Sequence, residues 1–161
     1  MIGFNCSEAG HIVNVIPPID GNAGAPVTAE AFSMKNWDHV SIIIQLGVTA
    51  AAPTSIVVKS AATSGGTGTA MPFRYYTQIA ASGPSNDVMS SQNSALAAGI
   101  TSVTALDNVL YVIEIDSAEL PDGSPWVQLV ITNPSSSILI SAVAILSAGR
   151  HAFAGSPTVT A

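Results

Sequence analysis

Five of the ten acidic residues lie between Asp107 and Asp122: Asp107, Glu114, Asp116, Glu119 and Asp122. Clustered carboxylates suit a hard cation such as calcium, which takes several oxygen ligands from one loop. The spacing is not that of an EF-hand, which needs oxygen ligands at alternate loop positions closed by Glu. The competing reading is a solvated loop, with Glu114 on the outward face of a strand. Glu114 and Asp116 share one strand face, and two carboxyls facing a sugar across a cleft is the arrangement of glycoside hydrolysis. A chain this short, with few cleft-forming aromatics, gives that reading little support.

His11, His39 and His151 are far apart in the sequence. Asp38 adjoins His39, but an acid beside a histidine is not a triad. A serine hydrolase needs a positioned nucleophile, such as the Ser of G-x-S-x-G, and that motif is absent from the sequence. Serine is abundant, so Ser/His/Asp proximity would arise by accident. His39 reads as a polar residue at a strand start. Trp37, Tyr75, Tyr76, Tyr111 and Trp126 could build a carbohydrate platform, though such residues more often anchor cores or interfaces. Cys6 has no basic neighbour to lower its pKa, which favours a passive thiol. No catalytic, cofactor-binding or metal-binding residue is assigned, and no enzymatic activity is expected.

The elements that would position these groups are set by an apolar, weakly charged chain. It has 161 residues, enough for one domain with its own core. Charged residues make up 9% of it, against roughly 25% in typical soluble domains. Mean hydropathy is +0.47, yet no apolar stretch approaches the ~20 residues of a membrane helix. Such a surface is poorly protected against association, so it is expected to be covered by copies of itself or by a partner. The alternative is a well-packed monomer with a Ser/Thr surface. Net charge is −6, and Lys35, Lys59, Arg74 and Arg150 are scattered. Nucleic acid and a polybasic membrane contact are both disfavoured, because each needs clustered bases. One cysteine excludes an intramolecular disulfide and a multi-cysteine zinc site. The amino-terminal residues show no basic-then-apolar secretory pattern, which suggests synthesis in a reducing cytoplasm.

Turn signals divide the chain into six to eight strands. His11–Ile16 alternates as a strand and is expected to stop at Pro17-Pro18, since proline cannot donate to a ladder. Pro26–Ser33 is a candidate edge strand. Val40–Leu46, with three consecutive Ile, is the strongest strand. Thr54–Ser60 follows, either as its hairpin partner or in an opposite sheet. Ala61–Ala70 is a loop of small residues. Met71–Ile79, Asn108–Ile115, Trp126–Thr132 and Ile138–Leu146 complete the main strands. Ser94–Gly99 reads as one helical turn closed by Gly99, and Ser102–Ala105 is a candidate strand extension. Ile138–Leu146 is nearly all apolar, so it is expected to be buried on both faces or to lie at an interface. The pattern points to an all-β, antiparallel β-sandwich, jelly-roll-like, with flexible termini.

Two segments carry a resemblance. One is Phe32-Ser-Met-Lys-Asn-Trp-Asp-His-Val-Ser-Ile-Ile-Ile-Gln-Leu-Gly-Val-Thr49 with the strand Ser55–Ser60. The other is Leu110-Tyr-Val-Ile-Glu-Ile-Asp-Ser-Ala-Glu-Leu-Pro-Asp-Gly123 with Trp126–Ile131. Both resemble small virion proteins of tailed bacteriophages, of the kind associated with capsid decoration, or cement. The resemblance implies a β-sandwich that oligomerises, as a dimer or trimer, on the outer shell. Its partner would be the major capsid protein, and its role would be to clamp neighbouring capsomers. It implies no catalytic residue and no cofactor.

The expected organisation is one domain over residues 1–161, with an amino-terminal segment 1–31 that includes a possible arm, and a tail from 150 to 161. Candidate contact elements are Met1–Pro18, Ala61–Ala70 and Arg150–Ala161. Candidate interface residues are Phe4, Ile12, Trp37, Tyr76, Trp126 and Phe153. The expected location is the capsid surface of a virion. A neck, tail or fibre component, a glycan-binding module and a hydrolase are the rivals.

Overall fold

The computed structural model describes residues 10–21, 25–49, 51–79, 88–103, 107–132 and 137–149. Eleven strands follow in order: β1 (His11–Gly21), β2 (Val27–Thr28), β3 (Phe32–Ser33), β4 (Trp37–Thr49), β5 (Ser55–Ala61), β6 (Thr69–Ala70), β7 (Phe73–Ile79), β8 (Asn93–Ala95), β9 (Val109–Asp116), β10 (Trp126–Thr132) and β11 (Ile138–Gly149). A short 3₁₀ turn, Ser117–Glu119, follows β9. One sheet has the order β1-β11-β4-β9-β7-β8, and the other β2-β10-β5-β6, with β3 also paired to β10.

The pairing is nested. β1 pairs with β11, β2 and β3 with β10, β4 with β9, and β5 with β6, all antiparallel. One long hairpin, folded over so that successive pairs alternate between sheets, gives this order. It is the jelly-roll arrangement, with β7 and β8 added beyond β9. The strongest strand, β4, and its successor β5 therefore lie in opposite sheets and do not form a hairpin.

Period-2 alternation fixes which side chains face inward. Val40, Ile42, Ile44 and Leu46 of β4 are fully buried, as are Val109, Ile113 and Ile115 of β9. They meet Ile56 and Val58 of β5 and Val127, Leu129 and Ile131 of β10 in one core cluster that also holds Phe32, Met34 and Tyr111. Each fully buried aliphatic side chain contributes about 1.5–3 kcal/mol relative to exposure.

Three expectations need correction. β1 does not stop at Pro17-Pro18 but continues to Gly21. Among the described residues it is an edge strand, paired to β11, with register shifts between Asn14 and Ile16 and between Ile16 and Ile19. Proline is tolerated at an edge or bulge, where its missing N–H breaks no ladder bond. Ser94–Gly99 is not a helical turn: β8 occupies Asn93–Ala95, and a tight turn follows, closed by Gly99 N–H donating to the Leu96 carbonyl at 2.8 Å. Gly99 has φ +80°, and a Cβ there would collide with the Ile56 carbonyl oxygen. That close approach lets Ile100 exchange both backbone hydrogen bonds with Ile56. Residues 101–103 form no strand, and the rest of the expected extension lies outside the described residues.

β11 is apolar on both faces, but the faces differ. Ile138, Ile140, Ala142, Ala144 and Leu146 are buried in the core, while Leu139 on the outer face is 53% exposed.

Candidate functional site

The outer face of the six-stranded sheet carries two features built by strand register. The first is a polar cluster. His39 and Ser41 project outward from β4, Glu114 and Asp116 from β9, and Arg74 from β7. Register places His39 opposite Asp116, and Ser41 opposite Glu114, with Arg74 on the other side of Glu114.

The His39 ring lies between two carboxylates. Nδ1 is 2.8 Å from Asp116 Oδ1, and Nε2 is 2.7 Å from Glu114 Oε2. Partial burial works against a charge on the ring. The hydrogen bonds and negative charges of Asp116 and Glu114 outweigh it and raise the His39 pKa above 6.5. Asp116 also accepts from Arg74 Nη2 at 2.6 Å. His39 first, and Arg74 second, hold its carboxyl below the ordinary aspartate value. Arg74 reaches Glu119 at 3.3 Å as well, and Glu119 accepts from the Asp116 backbone N–H at 2.8 Å, which caps the start of the 3₁₀ turn.

Ser41, His39 and Asp116 have the composition of a catalytic triad, but their geometry does not make one. Ser41 Oγ is 3.4 Å from His39 Nε2, whereas it donates to Glu114 Oε2 at 2.7 Å. Glu114 thus holds both the hydroxyl proton and the ring nitrogen that would have to accept it. His39 Nε2 is engaged by Glu114 and is not aimed at the Ser41 hydroxyl as a proton acceptor. Three of the five clustered acids join this network, Glu114 and Asp116 through His39 and Asp116 and Glu119 through Arg74, whereas Asp107 and Asp122 are exposed. Among the described residues, no group of three His, Cys, Asp or Glu is placed to hold a metal ion.

The second feature is an uncharged band beside the cluster. One cross-strand row reads Asn14, Val143, Ile43, Val112, Tyr76 from β1 to β7. The row on its polar-cluster side reads Ile12, Ile145, Ser41, Glu114, Arg74. The row on its other side reads Ser141, Gln45, Leu110, Gln78. Beyond it, Gly47 leaves a dent beside Leu139, lined also by Pro18, Ile19 and Asp20. Val143, Ile43, Val112, Ile145 and Leu110 are all partly exposed. A one-sided antiparallel sheet normally alternates apolar-in with polar-out, so this outer face departs from the rule. On the outer face of the five-stranded sheet, Ser55, Lys59, Gln128 and Thr132 alternate with Val57, Val130 and Trp126.

The candidate interface residues do not converge. Ile12, 50% exposed, and Tyr76 lie on this outer face, near opposite edges. Tyr76 donates to Gln92 at 3.2 Å. Trp37 stacks on His11 at 5.8 Å and packs against the core. Trp126 lies in the other sheet, so Tyr76 and Trp126 form no shared platform. Phe4 and Phe153, like most of the two expected terminal contact elements, lie outside the described residues. Ile43, Val112 and Val143 were not singled out from the sequence. Their signal was the unbroken Ile42-Ile43-Ile44 run and the apolar residues Val112, Val143 and Ile145 among the outward positions of β9 and β11.

No protein-family model matches the chain, and no curated protein matches it. Among solved structures, the chain is similar to the SPBc2 prophage-derived protein YomS. The two are 12% identical, with a TM-score of 0.42, over 84% of this chain and 92% of that one.

Proposed function

We propose that this chain is a non-enzymatic structural protein of a tailed-phage particle. It binds the outer surface of the capsid as a decoration protein and bridges neighbouring capsomers, with the major capsid protein as its partner. The observation that carries the reading is the uncharged Val143–Ile43–Val112 row on a sheet whose other face is already core. A sheet apolar on both faces belongs to a protein that works assembled.

Two further points support it. The segments that resemble virion proteins fold into β4 and β9, which are neighbours at the centre of this sheet. Among the described residues of that face, the Ser41/His39 cluster is tied to Glu114 by both side chains, which favours a structural over a catalytic use. A rigid jelly roll with little surface charge can make weak contacts that gain by multivalency on a repeating lattice. Binding the mature shell in preference to its ruptured state would stabilise it by mass action.

The test is to compare particles with and without the protein for resistance to heat and low salt. Loss of resistance on omission, restored by adding back purified protein, is the expected result. Particles equally resistant without it would overturn the clamp role.

A further inference from the structure

The same outer face raises a separate question, namely what covers it. Its centre carries no charge, as the buried centre of a protein interface requires. Six strands spaced about 4.8 Å apart make it about 29 Å wide. The eight residues of β9, at about 3.4 Å each, make it about 27 Å long. In projection that is about 800 Å², polar cluster included, so a contact over most of the face is of the order of size that each partner buries in a standard stable interface.

The pattern of rows is also self-complementary. Take a two-fold axis lying in the interface along the row Asn14–Val143–Ile43–Val112–Tyr76. Rotation places Val143, Ile43 and Val112 each opposite itself. It sets the Ile145–Ser41–Glu114–Arg74 row of one copy over the Ser141–Gln45–Leu110–Gln78 row of the other. Arg74 then faces Gln78 and Ser41 faces Gln45, pairs that can exchange hydrogen bonds. Glu114 faces Leu110, the one charged group of this row set against hydrocarbon, and is hydrogen-bonded within its own chain to His39 and Ser41. No charge meets its like. A two-fold axis along the strands would instead set both Arg74 and Glu114 over hydrocarbon, Ile12 and Ile145, and would leave Arg74 without Gln78.

We infer that the outer face of the six-stranded sheet packs on the same face of a second copy, about a two-fold axis along the Val143–Ile43–Val112 row. The contact is isologous, and sheet twist offsets the two strand directions by roughly 30°. This dimer deepens the structural role proposed above, but it is tested on purified protein without any shell, so the two readings can fail independently.

Sedimentation velocity of the full chain at micromolar concentration is the experiment. The wild type is expected at twice the 16.3 kDa chain mass. Ile43→Glu is expected at the single-chain mass with its circular dichroism unchanged, and Gln128→Glu, on the other sheet, is expected to remain a dimer. A monomeric or trimeric wild type overturns the proposal, as does a folded Ile43→Glu that stays dimeric. If Ile43→Glu does not fold, Val112→Cys in a Cys6→Ser background decides. The two-fold axis brings its thiol against the copy's thiol, so mild oxidation should give a covalent dimer, while Lys59→Cys, partly exposed on the other sheet, should not. A wild-type dimer with no such link at Val112 overturns the proposal.

Discussion

Glu114 Oε2 lies 2.7 Å from His39 Nε2, the nitrogen that a serine nucleophile would need as its base. Because the same carboxylate also accepts the Ser41 hydroxyl proton at 2.7 Å, a constellation that looks catalytic by composition becomes a structural clasp. It ties β4 to β9, and Arg74 extends it to β7.

Ser41 is therefore expected to be inert. A fluorophosphonate probe should leave it unlabelled from pH 6 to pH 9, as judged by peptide mass spectrometry. Stoichiometric labelling at Ser41 would show that His39 acts as a base despite Glu114.

The clasp also sets a pH dependence. The His39 pKa is raised in the folded chain, so its contribution is full below the ordinary value of 6.5 and is lost as pH rises through the higher folded value. The Asp116 pKa is lowered, so its contribution is full above the ordinary value of 3.8 and is lost as pH falls through the lower folded value. The two together are strongest between those ordinary values. Thermal melts should show stability declining from mildly acidic to alkaline pH, by no more than about 1 kcal/mol for so exposed a pair. His39→Gln should flatten that alkaline limb. An unchanged limb in His39→Gln would assign it to other groups.

Gly99 and Gly123 separate two costs of a left-handed backbone. Both have positive φ, at +80° and +75°, but a Cβ on Gly123 meets nothing within 4 Å. Gly123→Ala should cost about 1–2 kcal/mol, from backbone strain alone. Gly99→Ala adds a collision with the Ile56 carbonyl and should cost more than about 3 kcal/mol, enough to endanger a domain of ordinary stability. Denaturant titrations of the two variants would check the order. Equal losses would mean that the β5 backbone yields freely at Ile56.

Much of the fold is legible in the residues. Alternation in β9 and the β-branched run in β4 mark both strands, and turn chemistry at Pro121–Pro125 and the break at Pro53 separate their neighbours. Where local reasoning fell short, a long-range effect decided. Pro17-Pro18 would end a central strand, but β1 is an edge, and edge position depends on the whole topology. Gly99 looked like a helix cap because local sequence does not reveal that the Ile56 backbone passes over it. The site was less legible than the fold. Asp38 is the acid next to His39 in sequence, yet the acids bound to its ring, Glu114 and Asp116, come from a strand more than seventy residues later. The outer apolar row was half visible. β11 was expected to be buried on both faces or to lie at an interface, but the register that aligns Val143, Ile43 and Val112 exists only once β11, β4 and β9 are paired.

The central claim is that this chain is a lattice component of a virion. Its most direct test is the copy number of the protein relative to the major shell subunit in purified particles, by quantitative mass spectrometry. The account expects a ratio near one or a simple fraction of it. A handful of copies per particle would contradict the decoration role and place the chain in the neck, tail or fibres, and absence from particles would contradict a virion role altogether.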